Sequence, residues 1–199
     1  MAKLAFYTFG LLEEAHAHPH SKGFVDRVPF VFESAEQSEG FVDRAGSRYL
    51  ESRDSRWGDP QASPRFTAQQ SEARQDNPSK VSSSNQEAAT LSLWDDLESV
   101  YAFAYYGRHA EALKQRQDWF SKPEWPNYVA WWVEDGQTPT REDASERLER
   151  LHDEGSTPYA FDFKTPFDSA RQPWRMDRSK IQEKSQRVKM FDENNPTGV

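Results

Sequence analysis

"AATLSLWDDLESVYAFAYYGRHAEALKQRQDWF", residues 88–120, carries the fold decision. Leu91 and Leu93 alternate with Thr90, Ser92 and Trp94, the period of two expected of a strand. Asp95 follows as a predicted N-cap, with Glu98 three residues on, close to a capping box. A helix is expected over 96–106, a break or bend at Gly107, and a second helical piece over 108–120 that KPEWP ends. A strand that runs directly into a helix is one half of a β-α-β unit.

Upstream, LAFYTFGLL (4–12) reads as a buried first strand. Residues 22–37 place Phe24, Val28, Val31 and Ala35 at helical spacing, with Pro29 predicting a kink or a late start. SEGFVDRAGSRYL (38–50) opens with a turn and continues as a second strand. Residues 51–87 are rich in Ser, Gln, Asp and Pro and read as a long, partly disordered insertion, with Trp57 and Phe66 as candidate anchors.

Downstream, NYVAWWVED (127–135) is the fourth strand, after 88–94 as the third. Thr140 caps a helix whose stripe is Ala144, Leu148 and Leu151 and whose C-cap is Gly155. YAFDFK (159–164) reads as a fifth strand. Residues 1–170 thus form one domain, and 171–199 a polar C-terminal tail without an apolar period. The opening order, β-α-β-β-α-β, is that of a ferredoxin-like antiparallel sheet in the α+β class, with helices on one face. The other face is aromatic as well, so a second copy of the chain is expected to cover it, giving a homodimer.

Composition narrows the function. The formal net charge of -8 and the lack of a lysine-arginine stripe argue against nucleic acid as a partner. With no cysteine, disulfides and thiolate chemistry are excluded. No run approaches the ~20 apolar residues of a membrane span, and the N-terminus lacks the pattern of a signal peptide, so a cytoplasmic chain without a membrane partner is expected. Seven tryptophans and an aromatic fraction of 14% suit either core or a pocket for a flat organic substrate.

His109 is the leading candidate for chemistry. On one continuous helix Tyr105, His109 and Arg116 share a face, so histidine could move a proton while tyrosine and arginine hold an enolate oxygen. The competing reading has His109 capping a turn and Arg116 paired with Asp118 or Glu111. Tyr7, Ser92, Trp94, Trp131 and Trp132 are candidate substrate-binding residues, with core as the competing fate. Trp131 and Trp132 are strand neighbours and must face opposite ways. His16, His18 and His20 in HAHPH alternate, but Pro19 and the loop setting fix no ligand geometry, so no metal is expected there.

"SEGFVDR", the opening stretch, "WPNYVAWWVEDGQTPT" and "ASERLERLHDEGSTPYAFDFKTPF" together resemble the DUF3291 family over residues 4–50 and 88–168. "RWGDPQASPRF" is similar to fungal versions. The resemblance implies the dimeric α+β barrel superfamily, beside antibiotic-biosynthesis monooxygenases. It thereby implies a small-molecule enzyme of specialised, polyketide-like metabolism that acts on a hydrophobic or aromatic substrate. The reaction would be that of a cofactor-independent monooxygenase, isomerase, cyclase or dehydratase. Two alternatives stand beside it: a non-catalytic ligand-binding or stress dimer, and a haem enzyme with His109 as the iron ligand.

Overall fold

A computed structural model describes residues 1–46, 55–67 and 85–196. Four strands form one antiparallel sheet: β1 (Lys3–Leu11), β2 (Phe41–Arg44), β3 (Glu87–Trp94) and β4 (Tyr128–Val133). Their spatial order is β2-β3-β1-β4. Helix α1 (Lys22–Glu36) joins β1 to β2. Helices α2 (Leu97–Tyr105) and α3 (Gly107–Lys114) join β3 to β4. The α+β, ferredoxin-like sheet expected from the sequence is therefore present. Helices α4 (Arg141–Glu154) and α5 (Arg178–Asn194) follow β4.

β1 is the central strand, with β3 and β4 on either side, and its alternation feeds two cores. Ala5, Tyr7, Phe9 and Leu11 join Leu91, Leu93, Val129 and Trp131 on one face. Leu4 and Phe6 join Trp94 and Ala130 on the other. The second group packs under Ala35 of α1, Leu97, Val100, Phe103 and Ala104 of α2, and Phe161 and Phe163.

The first face is not left for a second copy to cover, as the sequence reading supposed. Ala144, Leu148 and Leu151 of α4 lie on it, together with Trp57 and Phe66. Those two are the expected anchors of the insertion, each 1% exposed. Phe66 stacks on Trp125 with ring centroids 5.1 Å apart, and the backbone N–H groups of Asp59 and Arg65 donate to Glu142 and Glu149 of α4. The rest of the insertion expected to be disordered lies mostly outside the described residues.

Local signals set several helix ends. Thr140 and Asp143 form a reciprocal capping box at α4, and Gly155 closes it. Helix α1 runs through Pro29 without interruption, forgoing one backbone donor. The cap of α2 is Asp96, not Asp95: Asp96 accepts from the Ser99 N–H at 2.7 Å, while Asp95 pairs with Lys3. Glu98 makes no capping box and instead accepts from the Asp177 N–H at 2.8 Å.

Two expectations fail for identifiable reasons. Residues 159–164 form no fifth strand; Phe161 makes only an isolated bridge with Ala130. The Asp162 carboxylate accepts from the N–H groups of Lys164 and Thr165, which turns the chain before a ladder can extend. The supposed polar tail contains α5, whose buried stripe is only Ile181, Ser185 and Val188. Charge does the rest of its docking. Lys184 reaches Glu39 at 2.8 Å and Asp96 at 3.6 Å, and Asp192 meets the Arg108 guanidinium at 3.3 Å.

Gly107 marks the closest approach of α5 to the body. Its φ is +61°, and an added Cβ would fall onto Asp192 Oδ2 and within 2.8 Å of Val188 Cγ1. Asp192 cannot easily yield, because Oδ2 accepts from the Arg108 N–H at 2.8 Å. Gly136 has a similar φ of +78° with no atom within 4 Å. Gly136→Ala is expected to cost roughly 1 kcal/mol from backbone strain alone, and Gly107→Ala roughly 2–3 kcal/mol. Urea unfolding of the two variants checks this, and equal losses would show that α5 does not press on Gly107.

Candidate ligand site

The helix that was to align Tyr105, His109 and Arg116 is interrupted. Tyr106 is extended (φ −132°, ψ 166°) and Gly107 left-handed, so the three residues lie on α2, α3 and a following 3-10 turn rather than on one helical face. Tyr105 packs against Tyr101 and Phe163, with centroids at 4.6 and 6.0 Å. Its neighbour Tyr128 accepts from the Phe163 N–H, and burial, then the adjacent Tyr105, push the Tyr128 phenol well above its usual range. Arg116 is exposed on its turn and, among the described residues, has no acidic partner.

His109 does structural work. Its Nδ1 lies 2.7 Å from the Ala104 carbonyl, which can only accept, so Nδ1 carries the proton. The ring thereby satisfies a carbonyl of the last turn of α2, one of the groups a helix end leaves open. It also packs on Phe103 with centroids 4.9 Å apart. Burial lowers the His109 pKa from its usual 6.5, and the Ala104 hydrogen bond opposes that shift.

The five candidate substrate-binding residues are core or hydrogen-bonded to it. Tyr7 and Trp131 lie in the face under α4, and Trp94 is packed between Phe41 and Phe103 on the other. Ser92 Oγ accepts from Trp94 Nε1 at 2.9 Å and donates to the Phe6 carbonyl at 3.3 Å. Trp132 donates to the Phe167 carbonyl at 2.8 Å, on the face opposite Trp131, as strand geometry requires. The histidines of HAHPH separate: His16 bonds the Asn85 carbonyl, His18 accepts from the His20 N–H, and His20 lies 3.6 Å from Glu13.

A groove of about 540 Å³ opens elsewhere, between α2, the segment 163–176 and the start of α5. Tyr101 and Tyr106 form its helix side, and Phe163, Pro166, Trp174 and Met176 its loop side. Ile181 and Gln182 of α5 close the third side. Lys164, Arg175 and Arg178 also line it, whereas none of the eight residues singled out from the sequence does. The volume falls within the range usual for small-molecule sites. Glu98, 4% exposed, buttresses it from α2 by accepting from the Asp177 N–H and, at 3.4 Å, from Trp174 Nε1. Burial pushes the Tyr101 phenol up, so it stays a hydrogen-bond donor at neutral pH. A sequence signal existed in "KTPFDSARQPWRMDR", where aromatic and basic residues interleave.

The family described as a domain of unknown function, DUF3291, matches residues 3–178. The chain belongs to the DUF3291 family. No curated protein and no solved structure matches it. The DUF3291 match covers the sheet, α1 to α4 and the loop side of the groove, and ends at the first residue of α5. Among the described residues, no helix is long and apolar enough to cross a membrane.

The depressed pKa of His109 makes a signed prediction. The fold holds the imidazole neutral, whereas the unfolded chain protonates it near pH 6.5. Stability is therefore complete above that value and is lost as pH falls towards the folded pKa. Between pH 7.5 and 5.5 the wild-type melting temperature should fall more steeply than that of His109→Asn, whose amide can still donate to the Ala104 carbonyl. Identical slopes in thermal melts would show that His109 does not carry the acid sensitivity.

Proposed function

We propose that this DUF3291 protein binds a flat, aromatic small molecule in the groove between α2, residues 163–176 and α5. The observation that carries the reading is the lining: four aromatic rings, from Tyr101, Tyr106, Phe163 and Trp174, gathered around one opening of suitable size. Trp174 is 44% exposed despite its large apolar surface, which is the state expected of a ring that awaits a partner.

Binding is better supported than proton-transfer catalysis. Abstraction of a proton needs a base within hydrogen-bond reach of the ligand. The lining residues include no histidine and no carboxylate, and the Tyr101 phenol is shifted away from acting as a base. A monooxygenase, isomerase, cyclase or dehydratase built on His109, Tyr105 and Arg116 would need those three to converge, and the interruption at Tyr106 works against it. A haem site would likewise rest on His109, which lies outside the groove lining.

N-phenyl-1-naphthylamine, an uncharged aromatic whose fluorescence rises in apolar surroundings, is a suitable probe. Trp174→Ala and Tyr106→Ala should each weaken its binding about three- to tenfold, in line with the loss of one aromatic contact. Thermal melts should show both variants folded, with a small loss for Trp174→Ala, whose Nε1 donates to the buried Glu98 carboxylate. Unchanged binding in both variants would rule the groove out as the ligand site.

A further inference from the structure

The groove is basic in a chain that is acidic. The sequence has 33 acidic and 25 basic residues, so a cation chosen at random has an excess of possible partners. On α5 two cations use them, Lys184 with Glu39 and Asp96 and Arg187 with Glu39 and Glu183, while Lys189 lies over the Tyr106 ring at 5.1 Å. Lys164, Arg175 and Arg178 line the groove, and among the described residues none of them has a carboxylate partner.

Five acids lie on or beside the segments around the groove, and each has another donor. Asp162 accepts from the N–H groups of Lys164 and Thr165, Asp168 from those of Ala170 and Gln172, and Glu98 from that of Asp177. Asp177 accepts from Ser179 and Lys180 as the N-cap of α5, and Glu183 pairs with Arg187. Among the described residues none of the five forms an ion pair with Lys164, Arg175 or Arg178.

We infer that the ligand class of this groove is a flat aromatic oxyanion, of the kind an aromatic carboxylic acid presents. The inference rests on the reading of the groove as a ligand site and adds charge to it. The rings supply a surface for the aromatic body, and Lys164, Arg175 and Arg178 supply donors and positive charge for the anionic edge. Guanidinium groups suit planar oxyanions because two N–H groups can meet two oxygens at once. The Tyr101 phenol, kept protonated, adds a further donor. A groove of about 540 Å³ matches a small molecule rather than the extended face that a protein partner would need.

A matched pair of probes separates charge from shape. 8-Anilino-1-naphthalenesulfonate has the ring system of N-phenyl-1-naphthylamine with one sulfonate added. The sulfonate probe should bind the wild-type protein at least tenfold more tightly than the neutral one. The double variant Arg175→Gln, Arg178→Gln, and separately 0.5 M sodium chloride, should remove most of that advantage and leave the neutral probe unchanged. Thermal melts confirm that the double variant is folded. Lys164→Gln provides a second, milder charge removal. Equal affinity for both probes, each weakened by Trp174→Ala, would overturn the inference while the aromatic groove stands. Binding of neither probe, or binding indifferent to Trp174→Ala, would overturn the groove and the inference together.

Discussion

The fold depends on one constraint, that β1 is buried on both faces. LAFYTFGLL has large apolar side chains at nearly every position, so a central strand made of it creates two apolar surfaces. Each must be removed from water, at about 25 cal/mol per Å² of apolar surface. Helices α1 and α2 cover Leu4 and Phe6, and α4 with Trp57 and Phe66 covers Ala5, Tyr7, Phe9 and Leu11. The chain thus completes both layers itself. The aromatic face first read as the seat of a second copy is packed within the chain, by α4, Trp57 and Phe66.

The same constraint decides where a ligand site can be. Aromatic residues on strands are drawn into the two cores, which is why Tyr7, Trp94 and Trp131 are buried to within 2% exposure. The groove proposed as the ligand site lies at the margin, where α2 emerges from the core and the chain returns past it over 163–176. That return is held by specific contacts: Trp132 grips the Phe167 carbonyl, Tyr128 accepts from the Phe163 N–H, and Glu98 holds Trp174 and Asp177. A groove with buried hydrogen-bonded supports on two sides keeps its shape before a ligand arrives, which lowers the ordering cost of binding.

Features that depend on neighbours in sequence were legible. The period of two in Leu91, Ser92 and Leu93, the Thr140 cap, the Gly155 stop and the break at Gly107 all rest on interactions within a few residues. Trp57 and Phe66 stood out because they were the large apolar residues in a polar stretch. Features that depend on distant partners were not legible. Residues 159–164 are an exception, because their strand-like composition masked a local turn in which Asp162 accepts from the Lys164 and Thr165 N–H groups. Helix α5 shows a thin stripe, and part of its docking is ionic, through residues as remote in sequence as Glu39 and Arg108.

The single helical face expected for Tyr105, His109 and Arg116 is absent for a related reason, and the interruption explains the placement of the histidine. A helical face joins Tyr105, His109 and Arg116 only if the helix continues, yet Gly107 had already been read as a break. Once α2 stops, its last turn exposes carbonyls that need donors, and a side chain arriving at the start of α3 can supply one. His109 is placed to do so, with its proton on Nδ1 and its ring against Phe103. Asp192 performs the complementary task from α5, accepting from the Arg108 N–H at the open start of α3. The junction is therefore closed by a donor for the helix that ends and an acceptor for the helix that begins. The rings of Tyr101 and Tyr106 stand at this same corner, so the residues that fix the junction also fix the helix wall of the groove.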